Sequence, residues 1–444
     1  MDSHKFFTQT RPGRLFVTAA LPGAIGMFAS ALYQLADGIF VGRIIGGTAF
    51  AALNLAMPFV IINFALSDLI GVGSSVPISI SLGQRRDKEA NNIFTCSCIM
   101  IVIIGIIIGA LLYACAPALM RFMGADGEFA ALAVQYLRVY AICSPLTTIV
   151  FAVDNYLRIC GRIKFSMVLN IIMSVLSAGL EFVFLFVFRW GIWGAALGTC
   201  LGMMICTVIA FVPFIGGRMR LRFYRPKFRA DMIKRIAACG MPTFLNNIAG
   251  RVTSIVMNML LVRWGGESAV SVYGILMYVD GIVQSLLYGM VDSLQPAIGY
   301  NWGAALYKRV RAIGKYCFLA GAVFSWLVVA VIFMFPELIT ELFMGGGSGG
   351  FMEEAVLALR LFGTGYIIRW FATSTQSFLL AVEKPIPATL ISISVALVFP
   401  LLFILVLWNL HLTGLWLNFA GTSFLSAALA AFMLFKYRKE LLRE

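Results

Sequence analysis

Ten ionisable residues fall inside long apolar stretches of this 444-residue chain. Six are acids (Asp37, Asp68, Asp154, Glu181, Asp280 and Asp292) and four are arginines (Arg138, Arg251, Arg360 and Arg369). A charge at the centre of a bilayer costs about 2.5–3.5 kcal/mol or more unless it is paired or hydrated, so each is a candidate for function. The chemistry open to such groups is ion pairing and the exchange of protons or cations. Both histidines, His4 and His411, lie at helix ends or loops, so a histidine relay is unavailable and titration falls to carboxylates.

Asp37 and Glu181 form the sharpest pair. Asp37 lies six residues inside Arg43, at the outer end of the first apolar helix, and Glu181 lies eight residues inside Arg189, at the outer end of the fifth. At about 1.5 Å per residue, their depths differ by only about 3 Å. Two carboxyls sharing one depth away from water favour holding a proton between them. The plainer reading is two separate hydrogen-bonded carboxyls that fix helix packing.

The other acids divide differently. Asp154 is next to Asn155 and four residues before Arg158, so a local ion pair competes on equal terms with a role in admitting substrate. Asp68, in the small-residue stretch SDLIGVGSS, reads as a structural hydrogen bond to a neighbouring helix. Asp280 and Arg251 lie at matching depths on consecutive antiparallel helices and are expected to pair, as a scaffold or as a reporter of the second half. Asp292 is a further candidate there. Arg138 and Arg360 recur in both halves of the chain and read as scaffold.

These residues must be positioned by membrane helices. The chain is 61% hydrophobic and 12% charged, with mean hydropathy +0.93, against roughly 25% charge in soluble proteins. Apolar stretches long enough to cross roughly 30 Å of hydrocarbon predict twelve helices, near 12–42, 48–82, 90–120, 128–160, 165–188, 192–216, 231–264, 268–303, 309–336, 353–382, 386–408 and 413–436. The net charge of +14 is carried mostly on alternate connections. That positive-inside pattern places both termini in the cytoplasm, makes anionic lipid headgroups the partners of the basic loops and excludes nucleic acid. The nine cysteines lie in apolar stretches as small core residues, without a disulfide or metal framework. Phe28-Ala29-Ser30-Ala31 resembles a signal cleavage site, but the apolar helix continues past it, so an uncleaved first span is expected.

The same pattern occurs twice. Pro22, Gly46-Gly47 and Gly83 return in the second half as Pro242, Gly265-Gly266 and Gly303, and Leu137-Arg138-Val139-Tyr140 returns as Leu359-Arg360-Leu361-Phe362. Such a duplication predicts an all-α polytopic membrane protein with twelve transmembrane helices in two six-helix lobes. Six is even, so the lobes are expected to be related by a pseudo-twofold axis along the membrane normal. The expected limits are 1–216 for the first lobe, 217–235 for a basic cytoplasmic linker and 236–444 for the second lobe with its short tail. No loop is long enough for a catalytic or nucleotide-binding domain, and GxxxxGK[ST] does not occur, so ATP is not the energy source. Gly345–Gly350 reads as an outer loop rather than a phosphate cradle. Nothing resembles a repeated carbonyl filter, which argues against a channel. The outer acids Glu337, Glu341, Glu353 and Glu354 read as solvated helix ends rather than an enzyme's site.

Three segments carry a family resemblance: LYQLADGIFVGRIIGGTAFAALNLAMPF at 32–59, GIWGAALGT at 191–199 and LQPAIGYNWGAALYKRVR at 294–311. They resemble multidrug and toxic compound extrusion (MATE) transporters over essentially the whole chain, nearest the bacterial DinF-like and MepA-like branches. The resemblance implies cation-coupled export of amphipathic, often cationic, aromatic drugs, hence a role in antibiotic resistance, by a monomer in the bacterial cytoplasmic membrane. No cofactor is implied beyond the coupling ion, a proton or sodium. The DinF-like pattern puts Asp37 at its helix-1 aspartate, Glu181 and Ser177 at its helix-5 aspartate and asparagine, and Thr199 at its helix-6 threonine. Keeping the charges while losing an amide oxygen favours protons over sodium. Helix 7 lacks the glutamate of the NorM-like and eukaryotic branches. The alternative is a flippase for a lipid-linked precursor from the same superfamily, whose cationic cleft contrasts with deep charges that here are mainly acidic.

Overall fold

A computed structural model describes residues 3–123, 126–217, 219–344 and 349–441. Among these, eleven helices are long and apolar enough to cross a membrane. A twelfth span is made of two pieces bent by 44°. In chain order the spans are α1 (Pro12–Phe40), α2 (Gly47–Gly83), α3 (Asp87–Phe122), α4 (Gly127–Ile159), α5 (Ile163–Val187) and α6 (Ile192–Ile215). They continue with α7 (Ala230–Gly266), α8 (Ser268–Gly303), α9 (Tyr307–Met334), α10 (Met352–Gly363 with Tyr366–Ala381), α11 (Pro385–Val406) and α12 (Trp408–Leu441). Large apolar side chains such as Leu111, Phe186, Ile215, Trp326 and Leu405 point outward, as lipid-facing residues must. Part of the Gly345–Gly350 segment, 345–348, lies outside the described residues.

The duplication is written into the turns. Gly46 and Gly266 both have positive φ (118° and 63°), as do Arg85 and Ala305 (60° and 57°), and the members of each pair are repeat equivalents. Gly191 and His411 form a third such pair, and Gly161 and Glu383 a fourth. Left-handed backbone disfavours residues other than glycine, so its recurrence at matched positions marks turns whose geometry, not sequence, is kept.

The chain folds into two compact units. One comprises the residues up to Thr10, Ile25–Phe244 and Gly299–Ala304; the other comprises Arg11–Ala24, Leu245–Ile298 and Ala305 onward. Lobes cut at 216 and 236 differ from these units by an exchange. The start of α1 packs in the second unit, and the start of α7 packs in the first. The chain passes over just after Pro22 and, one repeat later, just after Pro242. Within the second unit, Gly23 of α1 lies against Gly289 and Ser293 of α8; within the first, Gly240 of α7 lies against Leu69 of α2 and Gly73 against Ile236 of α7. Leu69 and Gly73 of α2 are the repeat equivalents of Gly289 and Ser293 of α8, while the partner on α7 lies about one turn before the equivalent of Gly23.

A second reciprocal crossing lies inside the first unit. A Cβ on Gly83 of α2 would sit 2.3 Å from the Tyr300 carbonyl oxygen of α8, and one on Gly303 would sit 2.2 Å from the Ile80 carbonyl oxygen. Residues 80 and 300, like 83 and 303, are repeat equivalents. Gly83→Ala and Gly303→Ala are therefore each expected to destabilise by about 1–3 kcal/mol through overpacking, and by similar amounts. The double variant should lose less than the sum, because both substitutions strain one contact. Thermal unfolding in detergent checks this; one neutral and one severe variant would contradict the reciprocal crossing.

The basic segment before α7 is fastened rather than loose. The backbone N–H groups of Arg222, Tyr224 and Lys227 donate to Asn91 Oδ1 (2.8 Å), Thr95 Oγ1 (3.0 Å) and Asn92 Oδ1 (2.7 Å) at the start of α3. Arg220 pairs with Asp87 at 2.9 Å. A segment outside helix and sheet needs such side-chain acceptors to satisfy its amides.

Candidate functional site

The first-unit site is built on α1, α4, α5 and α6. Asp37 is 5% exposed and Glu181 fully buried. Their carboxyls lie within hydrogen-bonding reach of one another. Yet Asp37 Oδ1 and both Glu181 oxygens receive no hydrogen bond from the protein. Two carboxylates supply no donor, so the contact becomes a hydrogen bond only when one of them holds a proton. The depth match in the sequence thus does bring the two acids together.

Thr199 and Ser177 sit beside them. Thr199 Oγ1 donates to the Ala195 carbonyl oxygen (3.3 Å), which leaves the Tyr33 hydroxyl as donor in its hydrogen bond to Thr199. Tyr33 adjoins Glu181 but its proton is committed elsewhere. Ser177 Oγ is spent on the Thr199 carbonyl (3.4 Å). Tyr136 and Tyr140, with ring centroids 5.1 Å apart, complete the surroundings of Asp37. The tyrosines are an addition to the sequence reading, although the spacing held a signal: Tyr33 precedes Asp37 by four, and Tyr136 and Tyr140 are four apart, so each pair shares a helix face.

Two local features place the acids. Shortly after each, the helix widens into a π turn, at Val41–Ile45 after Asp37 and Val183–Val187 after Glu181, and the two turns touch. Such turns re-aim side chains and recur at functional sites. The second feature is a glycine strip on α6, Gly194, Gly198 and Gly202. A Cβ on Gly198 would lie 2.6 Å from the Glu181 backbone nitrogen, and one on Gly202 2.1 Å from Ser177 Oγ. Small residues spaced by four let two membrane helices meet backbone to backbone. The strip therefore sets the depth and distance at which α5 presents Glu181.

Asp154 belongs to a separate cluster. It pairs with Arg158 at 2.6 Å, and its Oδ1 accepts from Ser166 Oγ (2.5 Å) and Asn170 Nδ2 (2.9 Å). Arg158 Nε donates to Ser166 Oγ at 3.2 Å. Of its two sequence readings, the geometry supplies the local ion pair. Asp68 departs from expectation: it is half-buried, and no hydrogen bond to a neighbouring helix forms among the described residues.

The second unit corrects one pairing. Arg251 is exposed and does not meet Asp280. Asp280 Oδ1 instead accepts from Tyr366 Oη (2.7 Å) and Gln284 Nε2 (3.4 Å), and the charge beside it is Arg369. The cause is the 44° bend of α10 between Gly363 and Tyr366, which turns Tyr366 and Arg369 toward α8. Asp292 is held by Ser377 Oγ (2.6 Å) and Gln295 Nε2 (2.8 Å), a structural tie.

With this geometry in view, known proteins provide the comparison. The sequence profile of the MatE family matches residues 22–183 and 242–406. The chain belongs to the MATE family. The two matched blocks open on the repeated prolines, Pro22 and Pro242, as the duplication requires. Among curated MATE relatives, the multidrug export protein MepA of Staphylococcus aureus (strain MSSA476) is 24% identical over 91% of both chains. MepA of Staphylococcus saprophyticus is also 24% identical, over 80% of both. Similar solved folds include an outward-facing multidrug resistance MATE transporter, at TM-score 0.93, 23% identity and 99% coverage of both chains. Another is a transporter of the same superfamily from Pyrococcus furiosus, described for the reverse polarity of its binding pocket, at TM-score 0.93 and 23% identity over 100% of this chain and 99% of that one.

MATE proteins are transporters rather than enzymes, and they use ion gradients. This MATE chain is accordingly a multi-pass membrane protein. Both deep acids that meet lie in the first matched block. The repeat equivalents of Asp37 and Glu181 in the second block are apolar, at Met257 and Phe403.

Proposed function

We propose that the protein exports amphipathic, often cationic, aromatic drugs in exchange for protons, by alternating access, as a monomer in the bacterial cytoplasmic membrane with both termini inside. The observation that carries this reading is the buried Asp37–Glu181 contact, which lacks any donor of its own. With both carboxyls ionised, the site attracts a lipophilic cation, and the surrounding tyrosines offer ring faces to it. A proton taken from outside converts the contact into a carboxyl–carboxylate hydrogen bond, removes the attraction and releases the drug outward. Coupling needs only that drug and proton bind unequally to the same two groups. An inward elementary charge gains about 2.3 kcal/mol per 100 mV. The names of the MepA relatives support multidrug export. In this reading the two lobes, 1–216 and 236–444, rock about the linker at 217–235, and Ser177, Thr199 and Asp37 with Glu181 form the coupling site.

Sodium is the competing coupling ion. A sodium cage needs several well-placed oxygens; Ser177 brings a hydroxyl where the DinF-like pattern has an amide oxygen, its proton goes to the Thr199 carbonyl, and Thr199 Oγ1 already accepts from Tyr33. Proteoliposomes loaded with an ethidium-like dye are expected to empty under an imposed pH gradient without sodium. A sodium gradient at equal pH on both sides should not drive them. The opposite pattern would transfer the role to sodium, and transport under neither gradient would remove antiport altogether.

A further inference from the structure

The segment joining α6 to α7 interleaves cations with rings. Arg222, Arg225, Lys227 and Arg229 alternate with Phe223, Tyr224 and Phe228, and all seven side chains are exposed. Beneath them, Met219 and Leu221 are buried, and the Phe223 ring rests against Phe94 at 5.0 Å and Phe211 at 6.1 Å. Val212 and Ile215 end α6 with exposed apolar side chains, and Ile233 opens α7 with another. The cations therefore stand where the apolar spans stop, at the level of lipid headgroups, which is also where aromatic side chains gather.

The main chain here is clasped by α3. Asn91, Thr95 and Asn92 hold the amides of Arg222, Tyr224 and Lys227, and Asn92 Nδ2 also donates to the Lys227 carbonyl oxygen at 3.0 Å. Asn92 thus grips both backbone polar groups of Lys227. The acids nearby are engaged with other cations: Asp87 with Arg220, Glu89 with Arg86 and Arg235, and Asp231 with Arg229. Among the described residues, no carboxylate pairs with Arg222, Arg225 or Lys227.

We propose that residues 222–229 form a preorganised binding site for the headgroups of anionic phospholipids. Charge alone makes such lipids the partners of every basic loop alike; the clasp singles out this one. A loose basic loop must lose its conformational freedom when it binds, whereas a backbone already fixed by α3 has lost it on folding. Arg222, Arg225 and Lys227 then meet the lipid phosphate with no internal acid competing for them. Tyr224 and Phe228 lie against the upper acyl chains. The positive-inside pattern makes the leaflet concerned the cytoplasmic one.

The test is native mass spectrometry of the full-length protein, released from micelles doped with equal amounts of phosphatidylglycerol and phosphatidylcholine. Phosphatidylglycerol is expected to be retained at least fivefold over phosphatidylcholine. Arg225→Gln with Lys227→Gln should lower its apparent affinity about tenfold, since each cation near an anionic surface contributes independently. Asn92→Ala should lower it about threefold although every cation is kept. Lys308→Gln with Lys315→Gln, which removes two exposed cations from another basic connection, should change it less than twofold. Arg225 and Lys227 are exposed and unpaired with acids, so their variant folds and decides the site even where Asn92→Ala melts early. Equal losses from the two double variants, no preference for phosphatidylglycerol, or a folded Asn92→Ala that binds like the wild type would each overturn the proposal. Displacement of the lipid by equimolar inorganic phosphate or short RNA would overturn it too, by giving the site another ligand. Micelles have no sides and no gradient is used, so the result is independent of the antiport reading.

Discussion

Glu181→Gln is expected to lower gradient-driven dye efflux at least tenfold while leaving the protein as thermally stable as the wild type or more so. The two halves of that expectation rest on the same atoms. Glu181 is fully buried, and neither of its oxygens receives a hydrogen bond. Glutamine keeps the shape and puts an N–H₂ donor where the carboxyl faces Asp37, which supplies the missing hydrogen bond permanently. An unsatisfied buried oxygen costs about 1–3 kcal/mol, so removing one cannot weaken the fold. The variant imitates the proton-loaded site and cannot discharge. Asp37→Asn should behave in the same way from the other side. Efflux in reconstituted vesicles and thermal unfolding in detergent are both needed. Efflux at the wild-type rate sinks the coupling role, and lost transport with a strongly lowered melting temperature would turn the acids into packing elements.

Much of the scaffold was legible because it rests on one-dimensional quantities. Span length follows from hydropathy, and depth follows from distance along a helix, which is why Asp37 and Glu181 were placed at one level before their contact was seen. The repeat was legible through Pro22, Gly46 and Gly83 because turns and close crossings demand particular residues. What the sequence hides is rotation about each helix axis. Arg251 and Asp280 do lie at similar depths, yet Arg251 is exposed and does not meet Asp280, and the charge that reaches Asp280 arrives from α10. The bend responsible is invisible to hydropathy, since both pieces of α10 remain apolar across it. The exchange of the first turns of α1 and α7 between the units was hidden for a related reason: helices continue through Pro22 and Pro242 without a break in composition. The glycine strip on α6 was present in the sequence as GAALGTCLG, and its spacing of four is the trace it leaves.

Asp154→Ala tests the other deep acid, and the expected loss is of stability, not of coupling. Asp154 and Arg158 have side chains 14% and 6% exposed and are 2.6 Å apart. Alanine leaves the guanidinium buried with only Ser166 as a partner, and breaking a buried pair by removing one member costs about 3–5 kcal/mol. Thermal unfolding in detergent should therefore fall steeply, while the surviving folded molecules transport at close to the wild-type rate. Asp154→Leu combined with Arg158→Met should recover most of the loss, because an apolar pair of similar volume carries no uncompensated charge. Asp154→Asn alone should lie between, since its amide oxygen still accepts from Ser166 and Asn170 but no longer balances Arg158. If the double apolar variant is stable and yet fails to transport, Asp154 handles substrate after all. Recovery of both stability and transport confines its role to joining α4 to α5, which leaves Asp37 and Glu181 as the pair of first-unit acids that exchange a proton.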